Sequence, residues 1–496
     1  MVGTRFDLRR VATPPSRYYL RSNVVNDAMK HSISLLVCLV LSGCSTTQFT
    51  ESIVTARQEQ ISDFRRFTSA KADSSVETNI RLERVSTGVP WPRGMVMVDG
   101  ELVALARGRH RNAGGIAPGI PDNSGSLFRV DPTITEPVIR GRAAGEAVQA
   151  NASIFVEPSD STFLLYRPEA GPPIDQISMD RPYCTLAYDE VSKNYFICGY
   201  SGVDLPAKKF RKNATDSIHR YDTRTSNWSS VELHNVDSVP TDELDYVVSN
   251  EFYPHHDPAQ NPAPHGLLNG PNGAWIVGSY LYAVGKDNHT LAQYDLSDIR
   301  RDPNAGAPPS RIVMQDRVEL KLDGEWQEVQ LFGHSSLVAH EGYLYMGYRT
   351  SSVVVRFPLT EDGNLRGSSA EQMDRGELLR GELIAVFNPW DADTRYSANL
   401  IDLRFNSQGE LFVSCAEMGR VWNIGIPDAE HPFDGVDRAE SPTQNRPFLD
   451  LRELTDNPYA RVGNIAFDAE DRLFVCSGNY DSGTEIAGVI YRAARE

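Results

Sequence analysis

Asparagine and aspartate side chains recur in this chain at one position, just ahead of short apolar strands. Asn272, Asp402 and Asn464 each stand three residues before the apolar residue that anchors a strand, and Ser335 holds this position in another repeat. Amide and carboxylate oxygens are ligands that Ca²⁺ accepts, six to eight at a time. Asn272, Asp402 and Asn464 are therefore the candidate metal ligands, and Ca²⁺ is the candidate cofactor.

Histidines supply two further candidates. His255, His256 and Asp257, with His265 nearby, could bind Zn²⁺ or another transition metal, although proline-rich turns also have this composition. His334 directly precedes a strand, where it could act as a general base or form a structural hydrogen bond. The sequence contains neither a Gly-x-Ser-x-Gly elbow nor a phosphate-binding loop, so the catalytic residues are unknown.

A sequence pattern that predicts strand, turn and strand recurs in the chain, and these hairpins must position the candidate side chains. Residues 401–415 form such a hairpin pattern with Gly409 at the turn, and residues 275–282 and 465–475 repeat it. One hairpin has too little core to stand alone, whereas several arranged radially bury one another's faces. The pattern predicts an all-β propeller, in which the repeated Asn and Asp position lies at one end of the central channel.

The number of blades follows from the residues that open the second strand of each unit. They are spaced by 62 to 93 residues, more than the roughly 40–50 of compact propeller repeats, so long loops must decorate one face. Six four-stranded blades fit best, and seven or eight also fit if a hairpin at residues 153–166 begins a further blade. The anchors are Leu102, Tyr195, Leu281, Leu344, Leu411 and Leu473.

Closure of the ring needs one strand from outside the last unit. That unit supplies only three strands before the chain ends, and the unassigned strand Asn79–Ser86 carries Ile80, Leu82 and Val85. We expect Asn79–Ser86 to pair with Val489–Tyr491 and cover an otherwise exposed sheet edge.

The N-terminal region has the features of an export signal. Lys30 precedes the apolar run Ile33–Leu41, which is too short to span a membrane, and Leu41-Ser42-Gly43-Cys44 follows. This arrangement resembles the bacterial lipoprotein signal, which implies cleavage before Cys44, acylation of Cys44 and a place in the bacterial cell envelope. The expected segments are a leader and signal peptide (1–43), a polar tether with a short helix (44–78) and the propeller (79–496).

Net charge and cysteine content indicate which partners and which covalent links the chain can have. With 49 Lys and Arg against 66 Asp and Glu, the net charge of −17 argues against a nucleic-acid partner. An exported chain can form disulfides, and Cys184 and Cys198 are the candidate pair because they lie symmetrically about Val191 in a predicted hairpin turn. Buried thiols are the alternative for this pair and for Cys415 and Cys476.

Two stretches carry a resemblance to a known class. Pro271-Asn272-Gly273 before a hairpin and the phrase Phe467–Val475 resemble the gluconolactonase and senescence-marker-protein class, and propellers with NHL repeats share the strand pattern. The resemblance implies a six-bladed propeller with a channel Ca²⁺ and hydrolysis of lactones or esters. Asn272 matches the channel asparagine of that class, whereas the acidic ligand of its first inner strand falls on Arg93.

Two functions from different classes follow. The first is a lipid-anchored binding or scaffold propeller whose loop-rich face presents a site for a small ligand, a glycan or a protein. The second is a Ca²⁺-dependent lactonase or esterase with its site in the central channel. An enzyme of that kind needs an anionic channel, and Arg93 places a positive charge where an acidic ligand is expected. The sequence therefore favours the binding module.

Overall fold

This computed structural model describes most of the chain from residue 80 onward. The described ranges are 80–106, 125–139, 144–156, 183–199, 202–204, 211–213, 217–232, 268, 271–285, 289–387, 398–416, 418–435, 447–457, 460–477 and 488–495. The chain separates into two units, Met1–Gln60 and Ile61–Glu496, and every described residue belongs to the second. The leader, the tether and Cys44 therefore lie outside the described residues.

Four sheets have the ordinary form of a propeller blade, with four strands paired antiparallel in succession. Strands are numbered in chain order and given from inner to outer. Sheet 1 contains β2 (Pro92–Val98), β3 (Glu101–Ala106), β4 (Leu127–Val130) and β6 (Ala152–Val156); sheet 2 contains β7 (Tyr183–Asp189), β8 (Asn194–Gly199), β11 (Ser217–Asp222) and β12 (Asn227–Glu232). Sheet 3 contains β13 (Pro271–Val277), β14 (Tyr280–Gly285), β15 (Thr290–Asp295) and β16 (Ser310–Met314); sheet 5 contains β23 (Leu400–Phe405), β24 (Leu411–Cys415), β25 (Arg420–Asn423) and β27 (Leu449–Asp450).

Sheet 6 joins the two ends of the propeller. Its strands are β28 (Ile465–Phe467), β29 (Leu473–Ser477), β30 (Val489–Arg495), β1 (Ile80–Ser86) and the short β5 (Glu136–Pro137). Strand β1 pairs antiparallel with β30, with Leu82 opposite Ala493 and Arg84 opposite Tyr491. The predicted closure of the ring by this N-terminal strand is confirmed.

Sheet 4 is larger than the others. Its inner four strands are β19 (His334–His340), β20 (Tyr343–Tyr348), β21 (Val353–Pro358) and β22 (Arg380–Phe387). The hairpin β17 (Arg317–Leu322) and β18 (Glu325–Gln330) extends it, and β26 (Phe433–Gly435) also pairs with β22. The all-β propeller class is confirmed, but the prediction of six uniform four-stranded blades needs correction. Five sheets are blades of four or five strands, and a seven-stranded sheet holds the remaining place in the ring.

The remaining elements are small. A short pair, β9 (Gly202–Asp204) and β10 (Arg211–Asn213), lies between β8 and β11 in the chain. The helices are α1 (Glu146–Gln149), α2 (Ser297–Arg301), α3 (Ala370–Asp374) and α4 (Leu451–Thr455). In the part of the chain that the structure describes, no helix is long and apolar enough to cross a membrane.

Packing between neighbouring sheets holds the ring together. The inner strands are neighbours in the order β2, β7, β13, β19, β23 and β28, and β28 returns to β2. Each interface between neighbouring sheets has its own apolar cluster, such as Met95, Phe128 and Phe474 between sheets 1 and 6. Full burial of a side chain of this size stabilises the fold by about 1.5–3 kcal/mol, so the interfaces between sheets dominate the stability.

Most of the long connections share one end of the sheets, and residues 359–379, which include α3, are an exception at the other end. All inner strands run in the same direction, and we call the end where they start the entry end, marked by Pro92, Pro271 and His334. The described strands that flank residues 107–124, 157–182, 233–267, 388–397 and 478–487 begin or end there. This agrees with the expectation that the longest loops decorate one face.

One local prediction needs correction, and a second, the Cys184–Cys198 disulfide, stays a prediction. Residues 153–156 belong to β6, the outer strand of sheet 1, so they do not begin a further blade; residues 163–166 lie outside the described ranges. The turn between β7 and β8 comprises residues 190–193, which places Thr185, not Cys184, opposite Cys198. No disulfide is seen among the described side chains, which do not include that of Cys184.

Candidate functional site

The repeated polar position does fall at the entry end of the inner strands. Arg93, Thr185, Asn272, Ser335 and Asp402 lie near the starts of β2, β7, β13, β19 and β23, and Asn464 directly precedes β28. The sequence pattern therefore located these side chains correctly. Their contacts decide what they can do.

Asn272 joins two neighbouring inner strands. Its Nδ2 donates to the backbone oxygen of Ser335, 3.4 Å away on β19. The strands approach so closely that a Cβ on Gly273 would lie 2.6 Å from the same oxygen, which explains glycine at this position. Asn272 is thus engaged in packing sheet 3 against sheet 4.

Asp402 is a buried carboxylate with a full set of donors. Its Oδ1 accepts from the Leu403 amide at 3.0 Å and from Arg404 Nη1 at 2.6 Å. Its Oδ2 accepts from the Ile465 amide at 3.0 Å, across the interface between sheets 5 and 6, and Asn464 also donates to the carboxylate. Burial raises the pKa of Asp402, while Arg404 and these hydrogen bonds act in the opposite direction.

The contacts of Asp402 bear on the predicted Ca²⁺ site. Asp402 and Asn464 lie together, but Asn272 lies on β13, with β19 between it and β23. A cation at Asp402 would have to displace the Arg404 guanidinium and three hydrogen bonds. Within the described ranges, no cluster of three or more His, Cys, Asp and Glu side chains could hold a metal ion. Metal binding by these residues stays a prediction.

Arg404 also contacts an inner strand that is not next to its own. Its guanidinium lies 4.8 Å from the ring centre of Trp275 on β13. In the order of the inner strands, β19 lies between β13 and β23. Neither residue was expected from the sequence, although an Arg two positions after a buried Asp on the same strand face is a readable signal for an internal ion pair.

His334 is buried in the interface between sheets and does not face a ligand. Its ring packs edge-on against Tyr348, with centroids 4.7 Å apart, and stacks on His289 at 6.2 Å. Burial, followed by the nearby His289, lowers the pKa of His334 well below its usual value. Both ring nitrogens are buried without a clear hydrogen-bond partner among the described residues, so neither the general base nor the structural hydrogen bond is confirmed. His255, His256, Asp257 and His265 lie outside the described residues.

An exposed row of paired charges crosses one face of sheet 4. On β17 and β22, Glu319 stands opposite Arg380, whose Nε donates to the Glu319 carboxylate at 2.8 Å. The Arg380 guanidinium also lies 5.1 Å from the ring centre of Trp326, an indole that is 40% exposed. The opposite face of β17 buries Val318 and Leu320, so the alternation of this strand holds the charged row outward.

The row continues toward the inner strands with a second pair. Arg356 on β21 stands opposite Glu382 on β22, and its Nε donates to the Glu382 carboxylate at 2.7 Å. The same guanidinium lies 4.3 Å from the ring centre of Tyr343 and donates weakly to the Tyr345 hydroxyl at 3.4 Å. Both guanidinium groups are therefore fixed by a carboxylate and an aromatic ring.

Two cavities flank this row and share Glu382. The first, which we call the Trp326 groove, has a volume of about 820 Å³ and is lined by Glu319, Trp326, Tyr343, Arg366, Arg380 and Glu382, with Gln372 of α3 in its wall. The second, the Asp428 cavity, has about 570 Å³ and includes Lys321, Asp323, Arg356, Asp428 and Glu430. Ligand sites in proteins typically enclose about 300–1,000 Å³.

The groove was not expected from the sequence because the β17–β18 hairpin was not recognised there. A signal was present: Val318, Leu320 and Leu322 alternate with polar residues directly before Asp323-Gly324. Asp-Gly between alternating strands favours a two-residue turn with both residues at positive φ, and Asp323 and Gly324 have φ of 51° and 83°.

Comparisons with known proteins find similar solved structures but no family. No protein-family model matches the chain, and no curated protein matches it. Among solved structures, the chain is similar to the PQQ-bound aldose sugar dehydrogenase from Streptomyces coelicolor, at 12% identity and a TM-score of 0.39, over 86% of this chain and 100% of that one.

Two lyase structures have comparable similarity. A streptogramin B lyase matches at 11% identity with a TM-score of 0.36, covering 84% of this chain and 98% of that one. Virginiamycin B lyase from Staphylococcus aureus matches at 10% identity with a TM-score of 0.35, covering 84% and 100%. Similarities of this degree concern the fold alone, and the strand pairing described above defines this chain as a β-propeller.

Proposed function

We propose that this protein is an exported, lipid-anchored binding module whose ligand site is the Trp326 groove. The observation that carries this proposal is where the additions to the propeller lie. The hairpin β17–β18 and the helix α3 are additions to sheet 4, and both contribute walls to the groove. One face of β17 packs Val318 and Leu320 into the core of sheet 4, while its other face, β18 and α3 border the cavity.

The alternative, a Ca²⁺-dependent lactonase or esterase acting in the channel, has weaker support. Such chemistry requires a channel carboxylate that can hold a metal. Asp402 already serves as the counter-ion of Arg404 and as an acceptor for the Ile465 amide. No geometry around it favours hydrolysis, so the binding module remains our proposal.

The membrane anchor rests on the sequence around Cys44. Attachment of several acyl chains to this residue would hold the propeller at the surface of an envelope membrane, where one chain alone would bind only marginally. The change Cys44→Ala should move the protein from the membrane fraction to the soluble fraction. A Cys38→Ala variant is the matched control, and equal fractionation of the two variants would contradict the anchor.

The ligand site can be tested by hydrogen–deuterium exchange of the full chain. A soluble extract of bacterial envelope polymers should protect peptides covering residues 317–328 and 366–382 when it is added to the protein. A Glu382→Arg variant should lose this protection, because the new cation would face Arg356 in the wall that both cavities share. Protection confined to residues around Asp402 and Asn464 would place the site in the channel and overturn the proposal.

A further inference from the structure

We infer that the ligand of the Trp326 groove is an extended, uncharged saccharide chain that continues past Glu382 into the Asp428 cavity. This inference rests on the function proposed above, and it names the class of ligand. It is carried by the pairing of charges in the groove, by its two aromatic rings, by its length and by the hydrogen bonding of its floor.

The two cavities offer no excess of cations, because six Asp and Glu side chains line them against four Lys and Arg, and two of the arginines are held by carboxylates. Arg380 is bound by Glu319, and Arg356 is bound by Glu382. A polyanion would need unpaired cations, so these pairs offer it little. A carboxylate still has lone pairs, and a guanidinium still has N–H groups, after one hydrogen bond between them. Fixed planar donors beside fixed planar acceptors suit sugar hydroxyls, because each hydroxyl both donates and accepts.

The aromatic rings provide the apolar contacts that a sugar also needs. Trp326 is exposed at the outer part of the groove, and Tyr343 lies at its inner part, opposite Pro358 in the strand register. A pyranose ring presents C–H bonds on its faces and hydroxyls around its edge. It can therefore lie against an aromatic ring while its edge bonds to the neighbouring charged groups.

The dimensions favour a chain over a single sugar. The two cavities, of about 820 and 570 Å³, lie next to each other, and Glu382 lines both. The ion pair of Arg356 and Glu382 therefore lies beneath the middle of the path. A monosaccharide would leave most of this path unfilled.

The floor of the groove also disfavours an extended peptide. Peptides that add to a sheet bind through unpaired backbone groups at a strand edge. Strand β22, in the middle of the floor, already pairs with β21 on one side and with β17 on the other. Its side chains are available to a ligand, whereas its backbone ladder is occupied where these strands meet.

The test uses titration calorimetry of the full chain with three probes, the hexasaccharides of β-1,4-linked glucose, α-1,4-linked glucose and β-1,4-linked N-acetylglucosamine. At least one should bind, and Trp326→Ala should raise its Kd about tenfold or more, as expected when an aromatic hot-spot contact is removed. Trp326→Phe should keep the Kd within about threefold because an aromatic face remains. The variant Val191→Ala, an exposed apolar change on sheet 2, should bind like the unchanged protein.

Failure of the inference differs from failure of the proposed function. If no hexasaccharide binds while the envelope extract still protects the groove against exchange, the ligand is not a saccharide of this kind and the binding module stands. Binding of a lysine hexapeptide in the same groove, with the three saccharides silent, would likewise overturn the saccharide and keep the binding module. If neither the extract nor any saccharide affects the groove, both proposals are wrong.

Discussion

Two regions of this propeller contain the same chemical pair, a carboxylate and a guanidinium, in opposite surroundings. Near the channel, Asp402 and Arg404 are 2% and 8% exposed and are surrounded by neighbouring inner strands. On sheet 4, the side chains of Glu319 and Arg380 are 31% and 60% exposed and border the Trp326 groove. The buried pair of Asp402 and Arg404 therefore stabilises the fold, whereas the exposed pair of Glu319 and Arg380 is accessible to a ligand.

The difference follows from the cost of removing charge from water. A buried carboxylate must have its lone pairs satisfied, and Asp402 obtains this from two backbone amides, Arg404 and Asn464. Such a group cannot exchange its partners for a ligand without a large penalty. An exposed pair loses little when it rearranges, because water replaces the lost contacts. Polar residues at the end of a propeller channel are thus poor evidence of a site until their partners are known.

The largest effect should come from removing the strand that closes the ring. A chain lacking residues 1–88 loses β1, and with it buried Leu82, Val85 and Glu83, the buried partner of Arg492. We expect a loss on the order of 5 kcal/mol, from two apolar side chains at about 1.5–3 kcal/mol each and the ion pair with Arg492. Urea unfolding measures it, and a chain lacking residues 1–72 is the control. Equal midpoints for the two chains would mean that β1 does not hold the ring closed.

The next effect tests the comparison directly. Asp402→Ala leaves Arg404 buried without its carboxylate and the Ile465 amide without its acceptor. The free energy of unfolding should fall by about 3–5 kcal/mol, the usual cost of breaking a buried pair. The matched change Glu319→Ala, which breaks the exposed pair, should cost less than about 1 kcal/mol. Similar losses for both variants would show that burial does not separate the two regions.

The third effect depends on pH. His334 has a pKa well below its usual value in the folded protein, because it is buried against Tyr348 and beside His289. In the unfolded chain its pKa returns to about 6.5, so below that pH the unfolded state binds more protons and stability falls as the pH drops. The slope from this group is at most about 1.4 kcal/mol per pH unit.

Urea unfolding between pH 7 and pH 5 measures this slope. His334→Phe should flatten the curve below pH 6.5, because an apolar ring replaces the group that titrates. Val191→Ala is the control: it changes an exposed side chain that does not titrate, so the slope should stay the same. A curve that keeps its slope in His334→Phe would assign the pH dependence to other groups.

Sequence reasoning located the strands and the ring better than it located the site. Apolar alternation and turn residues are local, so the hairpins and the closing strand Asn79–Ser86 could be predicted. The oxygen donors of Asp402 and Asn464 were also placed at the correct end of the inner strands. The sequence could not show that the Asp402 oxygens already accept hydrogen bonds from other protein groups. One of these donors, the Ile465 amide, belongs to a different sheet and lies 63 residues away in the chain.

The groove was unpredictable for a similar reason. Its floor requires β17 to pair in parallel with β22, which brings Glu319 to Arg380 across 61 residues of sequence. The Asp323-Gly324 turn signals a hairpin but does not say which sheet the hairpin joins. Long-range pairing of this kind depends on which edge is free after the blade has formed.

The smallest effect on stability should accompany a large effect on binding, at Arg380. This side chain is exposed, so Arg380→Gln removes a surface ion pair with Glu319 and a cation over Trp326, at a cost of about 1 kcal/mol or less. The same change removes a fixed guanidinium from the floor of the Trp326 groove.

The matched control is Arg317→Gln. It breaks a neighbouring exposed pair, that with Glu328, and Arg317 does not line the groove. We expect both variants to unfold at nearly the same urea concentration, while only Arg380→Gln weakens hexasaccharide binding in calorimetry. Equal binding by the two variants would remove Arg380 from the site, and a large loss of stability in Arg380→Gln would place this pair in the same class as Asp402 and Arg404.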